Sequence, residues 1–450
     1  MSLLDDDPCH CASSDLDFSF IPPTNTTIVK NYYEKVEPTA SANSGTVQFA
    51  LKAKHKDFIS LKNSFIHVSA KILKADKSVP DLPAADAVIK DIAKVFPINY
   101  FGATMFKNVK VSIGGVRISD SNDLYGYKAF FEYLLSYDHS VAKRAGALSF
   151  WYKDTNEFDE VVHMTGAAHN TGVVERYTKT KNGTIFEMSS RIHDDLFCQS
   201  KLIPGEVALT IEFDRADEEF CLMAKIENEK YIIEIQDISL YVKRFRVTDE
   251  YYDSFARERE QGYVMEYPMR KVEMKYVTFG PQKSILQAPH IVNNTPLPKR
   301  VIVALVHLDG FSGSNIHNPM KFENFKVKEI ELKVNDGGTP FYHYEMDYSK
   351  DRYNMAYIAM LRSGGDLFRN DAVNITLEEF KKGAAIYCFD ISKNGVDSET
   401  FELSENGALS LVFKLHDELN HGVAAIIYLE FDEILRLDPT NTMKSKSITK

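Results

Sequence analysis

Two stretches, FKNVKVSIGGVRIS at residues 106–119 and FKVKEIELKVNDGGTPF at residues 325–341, show the same pattern in the two halves of the chain. In each stretch, apolar and polar residues alternate and are rich in β-branched types, which is typical of a half-buried strand. A pair of glycines then interrupts the run. Two-residue hairpin turns need positive φ at both central residues, which glycine adopts without steric cost, so each stretch predicts a tight β-hairpin. The hairpin glycines are Gly114, Gly115, Gly337 and Gly338.

A helix is predicted shortly after each hairpin. Over 123–137, apolar residues recur at spacings of three to four behind a cap at Asn122 or Asp123. Over 351–363, a second helix has the same periodicity and ends at the glycines 364–365. Because hairpin and helix recur in the same order, we interpret the chain as a tandem duplication of one unit of roughly 200 residues.

Short runs rich in β-branched and aromatic residues, bounded by Gly, Asn, Asp and Pro, predict most of the remaining structure. They lie at 45–53, 63–76, 108–119, 183–192, 207–214, 231–247, 270–279, 299–308, 325–334, 385–392, 408–415 and 423–437. This pattern favours an all-β chain of two tandem eight-stranded jelly rolls with short inserted helices. A pair of immunoglobulin-like sandwiches has similar strand statistics and stays an alternative at this point.

The domain organisation follows from the duplication and from the polar ends of the chain. The predicted segments are a flexible N-terminal arm 1–26, a first jelly roll 27–247, a second jelly roll 248–438 and a flexible C-terminal tail 439–450. A less regular helical pattern over 248–260 lies where the two halves meet, and it predicts a helix that connects them. The stretch 138–182 is predicted as a loop-rich insertion of the first half.

Composition excludes several classes of function. The chain has 450 residues and a formal net charge of −11, which excludes a histone-like packaging role because that role needs excess positive charge. Five scattered cysteines favour a reducing intracellular compartment, cytoplasm or nucleus, over a disulfide framework. The acidic start and the absence of 18 consecutive apolar residues predict neither a secretion signal nor membrane insertion.

Metal ligation has weak support in the sequence. Cys9, His10 and Cys11 form a possible half-site, but no second cluster follows at a suitable spacing. His163 and His169 are six residues apart in a loop rich in Gly and Ala, a spacing that suits neither face of a helix. We therefore predict no metal site and no cofactor.

Catalytic patterns are also missing. The adjacent carboxylates Asp194-Asp195 and Asp432-Glu433 would point to opposite faces of a strand, so neither pair converges on a substrate by itself. The SIGGVRIS segment lacks the ending of a phosphate-binding loop, and no nucleophile-elbow or metalloprotease motif occurs. We predict no catalytic residue and hence no enzyme.

Basic residues cluster at 51–56, 242–247 and 268–275. Solvent-facing strand positions are the favoured interpretation. A lining that faces packaged nucleic acid is the alternative.

Several ordered segments resemble the major capsid protein of Polinton or Maverick elements and the related adintoviruses. They are DFSFIPPTNTTIVKNYYEKVEP at 17–38, ISLKNSFIHVSAKILKAD at 59–76, the stretch from VFPINYFGATMF to FFEYLLSY at 95–137, LPKRVIVALVHLDGFSG and its continuation at 297–337, and VAAIIYLEFDEILRLD at 423–438. The resemblance spans residues 16–438 and both halves of the chain.

The resemblance implies a double-jelly-roll capsid protein of the lineage of adenovirus hexon and tailless-phage coats. It implies homotrimers that form pseudo-hexagonal capsomers of an icosahedral virion, contacts between capsomers, and a single-jelly-roll penton or minor capsid protein as a partner. Packaged double-stranded DNA would be contacted only indirectly. The loops at 138–182 and 312–324 are modest, so large surface towers are not expected.

Two other classes remain open at this stage. A double-β-sandwich protein that binds or processes glycans would use the same strands, although the chain has a single tryptophan, Trp151, for stacking on sugars. A minor coat or vertex protein is a third possibility, but such proteins usually carry one jelly roll.

Overall fold

The computed structural model describes residues 24–80, 95–137, 139–155, 170–224, 229–335, 341–363, 373, 375–395 and 400–447. The predicted arm 1–26 lies almost wholly outside these residues, as do Cys9, His10, Cys11, His163 and His169.

The first half of the chain forms two antiparallel sheets. Its strands are β1 (Ile28–Val36), β2 (Thr46–Leu51), β3 (Asp57–Lys74), β4 (Val95–Pro97), β5 (Phe106–Ile113), β6 (Val116–Asp120), β7 (Phe186–Arg191), β8 (Ile203–Pro204), β9 (Leu209–Arg215), β10 (Leu222–Ala224) and β11 (Tyr231–Val247). One sheet has the order β1-β11-β3-β7, with β8 beside β3, and the other has the order β2-β9-β5-β6. Strands β4 and β10 pair separately with each other.

The second half repeats this topology. Its strands are β12 (Met265–Phe279), β13 (Ile285–Pro296), β14 (Arg300–His307), β15 (Val327–Val334), β16 (Tyr342–Glu345), β17 (Ile386–Asp390), β18 (Asn406–Leu415), β19 (Val423–Leu437) and β20 (Met443–Ser447). The sheets run β12-β19-β14-β17 and β13-β18-β15-β16. Counted along each half without the short extra strands, both halves have the strand orders 1-8-3-6 and 2-7-4-5. The predicted fold class, two eight-stranded jelly rolls, is confirmed.

Alternation along the strands forms the core between the two sheets of each half. Val109, Val111 and Ile113 of β5 are fully buried, as are Ile211 and Phe213 of the neighbouring β9. Residues between them face outward, as the period of two in a strand requires. The sequence alternation therefore decides which face of each sheet becomes the core.

Ten α-helical segments lie within the described part of the chain. They are α1 (Phe101–Thr104), α2 (Tyr125–Ser136), α3 (His139–Leu148), α4 (Thr171–Thr180), α5 (Asp195–Cys198), α6 (Glu218–Cys221), α7 (Asp249–Glu260), α8 (Leu308–Ser312), α9 (Asn354–Ser363) and α10 (Leu377–Lys382). Helices α2 and α9 follow the fifth strand of their own half, at equivalent places in the two jelly rolls. Helix α7 lies at the predicted connector.

The start of α2 differs from the prediction. Asn122 and Asp123 have φ of 58° and 59°, whereas a capping residue has extended backbone, and Leu124 stands at the cap position without a side-chain hydrogen bond. The Asn122 side chain instead donates to the carbonyl of Met274 in the second half, at 3.3 Å.

The prediction that 138–182 is rich in loops is wrong for the described part of this insertion, which contains α3 and α4. Asn170 caps α4 by accepting from the backbone N–H groups of Gly172 and Val173. The buried Arg176 fastens this helix through Asp154, at 3.0 Å.

Gly114 and Gly115 form the two-residue turn between β5 and β6, where Ile113 pairs with Val116. Their φ values are 58° and 80°. Gly337 and Gly338 lie outside the described residues.

The C-terminal segment also differs from the prediction of a flexible tail over 439–450. Residues Met443–Ser447 form β20, which pairs antiparallel with β19. Met443 is buried, so the segment gains apolar contact as well as backbone hydrogen bonds. The ordered strands therefore extend past the predicted boundary at 438.

Candidate functional site

The contact between the two jelly rolls is built around α2. Phe131 of this helix stacks on Phe322 of the second half, with ring centroids 5.0 Å apart, and meets Tyr428 edge-on. Phe130 contacts the same Phe322 ring at 5.8 Å. These rings are buried, so apolar area from both halves is removed from water at one place.

A buried ion pair lies beside the aromatic rings. Lys128 of α2 is 3% exposed, and its Nζ lies 2.5 Å from Oδ1 of Asp195 in α5. The other oxygen of Asp195 accepts a 2.9 Å hydrogen bond from the backbone N–H of Val272 in β12. The carboxylate thus joins two elements of the first half to a strand of the second.

Electrostatics hold Lys128 in its charged form, whereas burial raises the pKa of its partner Asp195 to about 7. Burial alone would lower the pKa of Lys128, but the carboxylates of Asp195, Glu132 and Asp194 raise it. Burial also raises the pKa of Asp195, with Asp194 adding to the effect and Lys128 opposing it. A lysine held this firmly in the charged form needs its carboxylate partner.

A hydroxyl, an imidazole and a carboxylate lie in line next to this pair. The Tyr100 hydroxyl is 2.6 Å from Nε2 of His193, and Nδ1 of His193 is 2.7 Å from the Glu132 carboxylate. The order is that of a nucleophile triad. However, Tyr100 is 2% exposed and burial raises its pKa well above the usual value, so the tyrosinate is disfavoured and no substrate reaches the hydroxyl. This chain of hydrogen bonds positions α1, α2 and the segment before α5.

A cavity of about 230 Å³ adjoins these groups between the two halves. The guanidinium of Arg300 pairs with Glu430 inside it and also donates to the carbonyl of Ser363. Arg270 approaches Glu430 at 3.5 Å. Cations and carboxylates are interleaved around the cavity, so it has no single charge that would select one class of ligand.

The basic clusters are largely neutralised by carboxylates. Arg244 is fully buried and pairs with Glu34, and Lys54 lies 2.7 Å from the same Glu34. Arg246 binds Asp57 at 2.8 Å. The prediction of solvent-facing positions is wrong for Arg244, and this pairing gives no support to a nucleic-acid lining.

The adjacent carboxylates singled out in the sequence have structural partners. Asp194 caps α5 and Asp195 binds Lys128. Asp432 lies 3.8 Å from Lys299, and Glu433 lies 3.2 Å from Lys271. The pairs do not converge on a common site.

An aromatic row lies on the outer face of the sheet that contains β1, β11 and β3. Phe65 stacks on Tyr241 at 5.1 Å, and Tyr33 meets Phe65 edge-on at 5.7 Å. Lys243 lies over the Tyr33 ring at 4.4 Å. Tyr33 is 50% exposed and Val29 on the same edge strand is 62% exposed. A half-exposed aromatic row on the outer face of a sheet is typical of a protein–protein contact.

Trp151 does not provide a platform for sugars. It is 5% exposed and packs against Tyr133, with ring centroids 5.3 Å apart. The stacking role that the glycan-binding alternative requires is therefore not available to this residue. Among the described helices, none is both long enough and apolar enough to cross a membrane.

Comparison with solved structures identifies the architecture. A chain of the Sputnik virophage structure superposes with a TM-score of 0.62 at 11% identity, over 98% of this chain and 93% of that one. The mavirus major capsid protein gives 0.55 at 10% identity, over 100% and 96%. The Faustovirus major capsid protein gives 0.53 at 10% identity, over 96% and 92%.

The fold is that of viral major capsid proteins. The likeness extends over both jelly rolls, because the aligned regions cover nearly the full length of each chain. At these identities it establishes the fold alone.

Sequence comparison adds one relative. An uncharacterized protein of Caenorhabditis elegans, F54H12.2, is 22% identical over 424 residues, which are 93% of this chain and 97% of that protein. No family model matches the sequence.

The junction around Lys128, Asp195 and Phe322 was missed by the sequence reasoning. Its members come from α2, α5 and the segment before β15, which are distant along the chain. A lysine among the apolar residues of 123–137 and the adjacent carboxylates Asp194-Asp195 are the sequence signals at this place, but nothing in the sequence pairs them.

Proposed function

We propose that this chain is the major capsid protein of a Polinton/Maverick-type element. Three copies would form a pseudo-hexagonal capsomer, and capsomers would tile an icosahedral shell around double-stranded DNA. The observation that carries the proposal is the pair of jelly rolls with identical strand order, held together by a buried junction. Three such chains place six equivalent sandwiches around one axis, so a single protein approximates sixfold symmetry.

Several further observations support this proposal. The resemblance to the Polinton/Maverick protein covers residues 16–438, and the fold is shared with the capsid proteins of mavirus and Faustovirus. The groups that resemble catalytic ones are buried or paired, which fits a non-enzymatic structural role. We assign 27–247 and 248–438 to the two jelly rolls, with β20 as an extension of the second.

The partners and location follow from the same role. We propose that copies of this chain are its main partner, that a single-jelly-roll penton or minor capsid protein occupies the vertices, and that the protein resides in the virion. DNA would be contacted indirectly, in keeping with the net charge of −11 and the paired basic clusters.

The solution mass of the purified chain tests the assembly. We expect three times the chain mass of 51.2 kDa by light scattering at neutral pH, persisting on dilution. A stable interface of this type buries more than about 2,000 Å². A stable monomer would contradict the proposal and would direct attention to glycan binding.

The aromatic row is the surface that we propose for contact between copies. Tyr33→Lys places a second charge beside Lys243 and should convert trimers to monomers without loss of folding. Tyr263→Lys is the matched control, since Tyr263 is 55% exposed, follows α7 and shares none of the ring or cation contacts of this row. Trimers that survive Tyr33→Lys would exclude the row as the interface, while the trimer itself would stand.

A further inference from the structure

Three histidines, one at the end of a strand and two in loops, meet at one end of the second jelly roll. His307 ends β14, His317 lies in the loop after α8, and His421 lies in the loop between β18 and β19. The rings of His307 and His317 stack with centroids 4.0 Å apart, and those of His307 and His421 are 4.1 Å apart.

A carboxylate completes the cluster. The ligand atoms of His307, Asp309 and His317 all lie within 4.8 Å of one another, and Nδ1 of His307 is 3.7 Å from the Asp309 carboxylate. Two or three imidazoles with one carboxylate form a ligand set that suits zinc, whose ligands stand about 2.0–2.2 Å from the ion. The ligand atoms must move closer together to reach those distances, and Asp309, in the first turn of α8, is exposed to solvent.

We propose that His307, Asp309, His317 and His421 bind a divalent transition metal, Zn²⁺ in the first instance. Sequence spacing did not reveal this site, because the loop carrying His421 is more than a hundred residues from the others.

Binding of a metal ion requires two changes in the arrangement of these histidines. A ring nitrogen presents its lone pair in the plane of the ring, so two parallel stacked rings do not both point at one ion. His317 lies in a partly exposed loop, and its ring has to turn out of the stack to ligate. His307 has to give up a long hydrogen bond, 3.2 Å, that its Nδ1 accepts from the backbone of Asp309.

A metal ion at this site would also affect the contact between the two jelly rolls. Asn315, in the loop between Asp309 and His317, accepts a 2.8 Å hydrogen bond from the backbone of Ala224 in β10 of the first half. Gly313 in the same loop lies against Glu219 and Phe220. A metal that joins this loop to the β18–β19 loop would therefore also fix a contact between the two jelly rolls.

Zinc binding to the full-length, untagged chain tests the proposal. The starting protein carries Cys9→Ser and Cys11→Ser, which removes the thiolates of the arm as competing ligands. After treatment with a chelator, we expect one equivalent of Zn²⁺ to bind by calorimetry and to raise the midpoint of thermal unfolding. His317→Gln and His421→Gln should each weaken binding by at least about tenfold, in line with losses of 10- to 100-fold for changes around metal sites.

The matched control is His416→Gln, which removes an exposed imidazole from the same β18–β19 loop without touching the cluster. It should bind zinc as the starting protein does. Cobalt(II) gives a second measurement that needs no variant, since a tetrahedral site produces an intense visible absorption band. Absence of saturable zinc binding, binding unchanged in His317→Gln, or cobalt without that band would each overturn the proposal and leave the histidines as aromatic packing.

Discussion

At the scale of single residues, Gly114 and Gly115 share one turn but have different surroundings. A Cβ on Gly114 would lie 2.2 Å from the carbonyl oxygen of Asn441, whereas a Cβ on Gly115 would have no neighbour within 4 Å. The C-terminal segment thus lies directly over the first glycine of the hairpin. Positive φ favours glycine at both positions. Only at Gly114 does the close approach of the Asn441 backbone also leave no room for a side chain.

This difference predicts unequal effects of alanine. Gly115→Ala should lower the free energy of unfolding by about 1 kcal/mol through backbone strain alone. Gly114→Ala should cost about 1–3 kcal/mol more, because the methyl group has to displace the backbone at Asn441. Denaturant unfolding of the two variants measures the difference, and equal losses would contradict the contact.

The pKa of Asp57 in the folded state predicts part of the pH dependence of the free energy of unfolding. Burial would raise the pKa of Asp57, but hydrogen bonds from Tyr32 at 2.5 Å and Arg246 at 2.8 Å lower it below its usual value. A lowered pKa in the folded state means that stability is present above the unfolded pKa of about 3.9 and is lost as the pH falls through the folded pKa. The carboxylate therefore stabilises the fold at neutral pH.

Asp57→Asn should lower the free energy of unfolding at pH 7 and flatten its decline below about pH 4. Denaturant unfolding across this pH range measures both effects. Glu250→Gln, an exposed change in the first turn of α7, serves as the control. If the free energy of unfolding declines equally at acid pH in Asp57→Asn and in the unmodified chain, Asp57 does not contribute to the pH dependence of stability.

At the scale of elements, α2 determines how the halves meet. Its apolar face contacts Phe322, and its Lys128 reaches Asp195, which in turn accepts from Val272 of β12. Removing one member of a buried ion pair leaves the other charge without compensation, which costs about 3–5 kcal/mol. The pair thus makes the orientation of α2 specific.

A double-mutant cycle tests this role. Lys128→Met should cost about 3–5 kcal/mol, and adding Asp195→Asn should recover part of the loss, because the amide oxygen still accepts from Val272 while the buried charge is gone. Thermal or denaturant unfolding of the two singles and the double gives the coupling. Additive losses would contradict a direct interaction.

At the scale of the whole molecule, the junction predicts that the two jelly rolls unfold together. Contacts between domains are commonly small and polar, whereas this one buries aromatic rings from both halves. We expect a single calorimetric transition for the native chain. Two separate transitions would contradict a rigid junction.

Phe322→Ala should weaken this coupling. Phe322 is fully buried, and its loss should cost about 3–5 kcal/mol. We expect the transition to broaden or to split into two, as the halves become independent. Phe341→Ala, at an exposed ring of the second half, should leave a single transition.

Much of the fold was predictable because it depends on local rules. Alternation predicted most of the long strands, from β2 to β19, and the pair Gly114-Gly115 indicated the hairpin between β5 and β6. Strand β13 was not predicted: it contains Pro289 and Pro296, which weaken the strand signal yet are tolerated because β13 is the edge of its sheet. Strand β20 was missed because its short polar sequence pairs only where β19 presents a free edge.

The sequence by itself determined the class of this protein: an all-β chain, duplicated, with a helix at the same place in each half. Periodicity, turn residues and composition are properties of the sequence itself, mostly of neighbouring residues, and they can therefore be recognised without a structure. Only the tertiary structure decided the junction at Lys128 and Asp195, the aromatic row at Tyr33 and the histidine cluster at His307. Each of these joins side chains that are far apart in the chain, and burial and distance, which set their chemistry, exist only once the chain has folded.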